Sequence, residues 1–108
     1  LLMRYQSTCR RIEADAAALG IQTLFVIQPV PYYRYPRQME DPVCSKETNS
    51  VFKCIYPQLE ASFKNESNRL FLGNMLASAE GLPFIDKIHY APQFNKQIAF
   101  VLLQQLLK

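Results

Sequence analysis

The run "LFVI", residues 24 to 27, constrains this chain more than any other stretch. It is continuously apolar and rich in β-branched and aromatic types, where a half-buried strand would alternate. A strand reads this way when both faces are covered, as in a parallel sheet packed between helices. Pro29 ends it, because proline has no N–H to give to the ladder. Upstream, Leu2, Tyr5, Cys9, Ile12, Ala16 and Leu19 recur at steps of three and four, and Gly20 follows as a stop. That spacing predicts one amphipathic helix over residues 2 to 19.

Residues 29 to 49 hold four prolines and no sustained period, which predicts a long loop. From Ser50 to about Glu80 the pattern is helical but interrupted at Pro57. Gly81 closes that region, and "LPFID", residues 82 to 86, reads as a second short buried strand ending at Asp86. Pro92 suits the first turn of a helix running to Leu107, with Ile98, Ala99, Leu102 and Leu106 on its apolar arc. The alternation predicts a single layered α/β domain over 1–108 with a mostly parallel sheet. Two strands make a poor sheet, so the expectation is an incomplete, C-terminal portion of a larger α/β domain.

Twelve Lys and Arg against nine Asp and Glu leave a net charge of +3, spread along the chain. That excess is too weak for a phosphate-binding surface, and no nucleic-acid partner is expected. No uncharged apolar run reaches the roughly 20 residues of a transmembrane helix. Cys44 and Cys54 share one loop-rich segment and suit a small disulfide in an oxidising compartment, leaving Cys9 as a buried helix residue. The three cysteines and His89 lack zinc-ligand spacing, so neither a metal nor a cofactor is called for. Asn65-Glu66-Ser67 matches a glycosylation sequon. The compartment stays open, with a secreted or periplasmic setting among the options.

The chain has one histidine, and it stands three residues after Asp86 in "FIDKIHYAPQFNKQIA", residues 84 to 99. In open α/β sheets, ligands gather beyond the carboxyl ends of strands. An Asp-x-x-His turn there lets the carboxylate hold one ring nitrogen while the other faces a cleft. Such an imidazole is kept in one tautomer and stabilised when it takes a proton. Gln28, closing the first strand, is a candidate for hydrogen-bonding substrate, or for capping the loop that follows. "YYRYPR", residues 32 to 37, offers aromatic faces and two guanidiniums near the same edge; an ordinary surface loop is the favoured reading, ahead of a pocket wall or a platform for single-stranded nucleic acid.

"FIDKIHYAPQFNKQIA" resembles the C-terminal block of the SGNH (GDSL-like) serine hydrolases. In that block an Asp-x-x-His pair leads into the last helix. The preceding helix and "LFVIQPVPYY" are similar to the helix, strand and loop that come before it in some members. The resemblance implies a three-layer α/β/α, flavodoxin-like fold, and an esterase, lipase, O-acetyl-carbohydrate esterase or acyltransferase acting on an ester or O-acylated small molecule, carbohydrate or lipid. Carried over by position, His89 is the general base and Asp86 its orienting carboxylate. The family's Gly-Asp-Ser nucleophile motif does not occur in these 108 residues. "LGNM", residues 72 to 75, falls in the wrong order to serve as the Gly-x-Asn-Asp oxyanion block, so Gly73 and Asn74 read as structural. None of the six serines sits on a strand-to-helix turn of the kind a nucleophile needs. The expectation is half an active site, with the serine supplied by upstream polypeptide. The alternative is a non-catalytic interaction module that keeps the fold.

Overall fold

The computed structural model describes residues 1–37, 50–86 and 89–108. Helix α1 spans Leu2–Ala18, strand β1 Phe25–Ile27, helix α2 Ser50–Phe63, strand β2 Arg69–Phe71 and helix α3 Pro92–Leu106, with a 3-10 turn at Met75–Ser78 before α3. Among the described residues the chain is a small mixed α/β protein with three helices and a two-stranded parallel sheet, Phe25 facing Arg69 and Ile27 facing Phe71. A parallel pair needs a crossover, and α2 is that crossover.

Each boundary has a local cause. α1 ends where Gly20 takes φ +70°, a left-handed conformation that glycine adopts without a Cβ clash. The N–H groups of Gly20 and Ile21 then close on the carbonyls of Ala17 and Ala16. α2 runs straight through Pro57 instead of breaking there. Proline costs the helix the bond to the carbonyl of Lys53, yet the flanking Tyr56 and Leu59 are buried, and tertiary packing outweighs the local penalty. α3 starts with Pro92 in its first turn, where a missing N–H costs nothing.

The second strand lies elsewhere than expected. Residues 69 to 71 pair with β1, whereas Phe84 of "LPFID" makes only a single antiparallel bridge to Tyr90. Pro83, fully buried, removes one donor from that segment, and β1 finds its neighbour in the earlier stretch "RLF". Asp86 therefore closes a turn rather than a strand of the sheet. No third layer or further strand is defined among the described residues.

Two apolar clusters hold these elements. Val30, Tyr33, Tyr56, Leu59 and Phe63 form one, joined by Tyr5 from α1 and by Phe25, Ile27 and Phe71 from the sheet. Tyr56 meets Phe52 and Phe71 edge to face, 5.6 Å from both at 83° and 70°, a geometry that aromatic quadrupoles favour, while Tyr5 stacks on Phe63. Tyr35, Leu76, Phe84 and Phe94 form the second, with Tyr90 and Ile98 against it, and this cluster attaches α3. Burying each such side chain contributes roughly 1.5–3 kcal/mol. Between α1 and β2, the Arg69 side chain is only 6% exposed. It pairs with Glu13 and Glu66 and lies 4.3 Å from the Phe25 ring. A buried guanidinium is tolerable only with such partners.

Candidate functional site

Residues 83 to 86 and 89 to 91 form the two sides of a turn, and these sides exchange backbone hydrogen bonds. The Ala91 N–H donates to the Pro83 carbonyl at 2.7 Å, and the Ile85 N–H donates to the His89 carbonyl at 2.9 Å. The rings of Phe84, Tyr90 and Phe94 pack together at this turn, tilted or edge-on, with centroids 5.3–6.4 Å apart. Asp86 and His89 occupy its outer end.

There the two side chains meet. His89 Nδ1 lies 2.8 Å from Asp86 Oδ2 and 3.0 Å from Oδ1, while the backbone N–H of His89 donates to Oδ1 at 2.7 Å. The carboxylate thus accepts from both the ring and the main chain of the same residue. With the proton on Nδ1, the Nε2 lone pair is the one left available. The ring faces outward: its side chain is 71% exposed and that of Asp86 54%.

The turn is fastened to the end of β1. The Tyr90 hydroxyl donates to the carbonyl of Pro29, two residues past the strand, at 2.6 Å. Burial pushes the Tyr90 phenol up to about 12, so the group stays a neutral donor through the physiological range. Tyr35 packs on Phe84 at 5.9 Å from the loop after β1. Both contacts place the Asp86–His89 turn at the carboxyl edge of the sheet. Tyr90 is the residue that sequence reasoning passed over; an aromatic directly after the histidine was its only signal.

Gln28 stands at this edge with its side chain exposed and without a hydrogen bond among the described residues. Its carbonyl instead accepts from the Tyr56 hydroxyl at 2.8 Å, which ties the end of β1 to α2. Charge holds the described start of the loop after β1. Arg34, at φ +50°, donates to Asn74 Oδ1 at 2.5 Å and lies 3.4 Å from Glu60. Asn74 Nδ2 donates in turn to Glu60 Oε1 at 2.9 Å, and the Tyr33 hydroxyl to Oε2 at 3.3 Å. The Asn74 hydrogen bond, followed by the Arg34 charge and the Tyr33 hydroxyl, holds the Glu60 carboxyl below its ordinary range. Asn74 is thus a structural cross-link between two loops. Gly73 is structural as well, since a Cβ there would overlap the Cζ and Cε1 atoms of the Phe71 ring.

A cavity of about 860 Å³ lies at the opposite, amino edge, lined by Ile21 to Leu24, Glu66 to Asn68 and the end of α3. Asp86 and His89 do not line it. Cys9 is buried as expected and Cys54 is exposed, while Cys44 lies outside the described residues, as do Ser45 and positions 38 to 49 of the long loop. Among the described residues no group of three His, Cys, Asp or Glu side chains could hold a metal ion, and no helix is long and apolar enough to cross a membrane. No protein-family model, no curated protein and no solved structure matches the chain.

Proposed function

We propose that Asp86 and His89 are the base half of a serine ester hydrolase or acyltransferase site of the SGNH type. The observation that carries this reading is the 2.8 Å contact between Nδ1 and the Asp86 carboxylate on an outward-facing ring. Nε2 takes the proton of a serine hydroxyl as that oxygen attacks an ester carbonyl. The imidazolium, steadied by Asp86, then returns the proton to the leaving alcohol. The serine and the oxyanion donors come from another stretch of polypeptide, since Gly-Asp-Ser is absent from these 108 residues. The substrate is an ester or O-acylated small molecule, carbohydrate or lipid. No cofactor or metal takes part in the proposed chemistry.

The test is turnover of a short p-nitrophenyl ester by a polypeptide that joins this segment to its Gly-Asp-Ser partner. His89→Ala is expected to lower kcat by roughly 10²–10⁴-fold, the usual worth of a positioned proton-transfer group. Undiminished hydrolysis would remove the imidazole from the mechanism. One observation favours a second reading, a non-catalytic module. The His89 backbone N–H also donates to Asp86, so the pair already has a structural task in shaping the turn. That reading predicts no turnover in the joined polypeptide.

A further inference from the structure

The chain contains one Asn-x-Ser/Thr sequon, Asn65-Glu66-Ser67, and the chemistry at His89 makes no use of it. It forms the connection between the end of α2 and the start of β2. The backbone there is held by groups that leave the acceptor alone. The Glu66 N–H donates to the Phe63 carbonyl at 3.4 Å, the Arg69 N–H to the Glu66 carbonyl at 3.3 Å, and the Gln105 side chain to the Ser67 carbonyl at 3.3 Å. The Glu66 side chain is drawn off by Arg69 at 3.4 Å and Arg10 at 3.8 Å, which offsets the charge of the middle residue.

The asparagines of this chain differ in what their carboxamides do. Asn68 is half-buried and donates to Glu13 and Thr23; Asn74 bridges Arg34 and Glu60. Asn95 is exposed but is followed by Lys and Gln. Only at Asn65, among the described residues, do the motif, an exposed side chain and an unbonded carboxamide coincide, and Ser67 is exposed beside it. The turn precedes β2 and so lies at the amino edge of the sheet, whereas the Asp86–His89 turn is fastened at the carboxyl edge. An oligosaccharide on Asn65 would project from the edge opposite that pair.

We propose that Asn65 is an N-glycosylation acceptor, modified on a surface turn that can carry a bulky polar chain without disturbing the core or the Asp86–His89 pair. In the step, Asn65 Nδ2 attacks the anomeric carbon of a lipid-linked oligosaccharyl diphosphate. A C–N bond forms, the C–O bond to the diphosphate breaks, and the amide proton is lost as the lipid diphosphate departs. This inference is independent of the ester chemistry. It is tested by secreting the chain from a eukaryotic host and measuring intact mass before and after peptide N-glycosidase treatment. The parent is expected to carry an oligosaccharide increment that the glycosidase removes. Asn65→Gln and Ser67→Ala are expected to lose it entirely, and Ser67→Thr to keep it. A secreted parent of unmodified mass, or an increment that survives in Asn65→Gln, would overturn the assignment.

Discussion

Removing the single oxygen that ties the Asp86–His89 turn to β1 is the sharpest perturbation available. In Tyr90→Phe the ring remains, so its packing on Phe84 at 5.5 Å and Phe94 at 5.3 Å is kept. The 2.6 Å hydrogen bond to the Pro29 carbonyl is lost, and that carbonyl belongs to a fully buried residue. Stranding a buried acceptor costs about 1–3 kcal/mol. Tyr90 is itself only half-buried, which lets water repair part of the loss and places the expectation at the lower end of that range. With a urea m-value of about 1–3 kcal/mol/M for a chain this small, the unfolding midpoint should fall by roughly 0.3–1 M with m unchanged. In the joined polypeptide, under the proposed function, the same variant should lower kcat more than it raises KM, because the clamp acts through the proposed base. A midpoint and a kcat both equal to the parent's would refute the idea that this hydroxyl anchors the site.

Two further outcomes follow from the packing and the charges. Gly73→Ala should destabilise by about 1–3 kcal/mol in the same urea assay, since the new methyl would press on the Phe71 ring and come within 3.1 Å of Tyr56; a neutral effect would mean that the two rings yield freely. Tyr5, Tyr56 and Tyr90 are each pushed up to about 12 from the ordinary 10.0, chiefly by burial. The unfolded phenols ionise first, so stability should be fully present below pH 10 and decline as pH rises from 10 towards 12. Chemical denaturation across that window checks the sign, and stability that rose there would contradict it.

The helices were legible because periodicity survives at lengths of 15 and 17 residues: α1 and α3 end within one residue of the positions that spacing and the Gly20 and Pro92 signals indicate. β1 was legible from its apolar run. β2 was not, because three residues, "RLF", are too few to show a period and lie directly behind a helical stretch. The polar cluster from Lys64 to Asn68 was the available turn signal. "LPFID" looked like a strand by composition, but pairing is decided by the partner, and β1 pairs with "RLF". Proline in α2 was overridden by the burial of Tyr56 and Leu59, a tertiary effect that local propensity does not contain. At the site, the Asp86–His89 contact was foreseeable because the two residues stand only three apart in sequence. Tyr90 reaching Pro29 was not, since it joins residues 61 apart in sequence.

The account rests on an imidazole whose Nδ1 proton is held by Asp86, leaving Nε2 as the basic nitrogen. With a single histidine in the chain, nitrogen-15 NMR of the ring reports on His89 without ambiguity. With the ring neutral, the parent is expected to show the Nδ1–H tautomer, and Asp86→Ala to revert toward the Nε2–H form that free histidine prefers. A parent already in the Nε2–H form, unmoved by Asp86→Ala, would contradict the pairing and the base assigned to it.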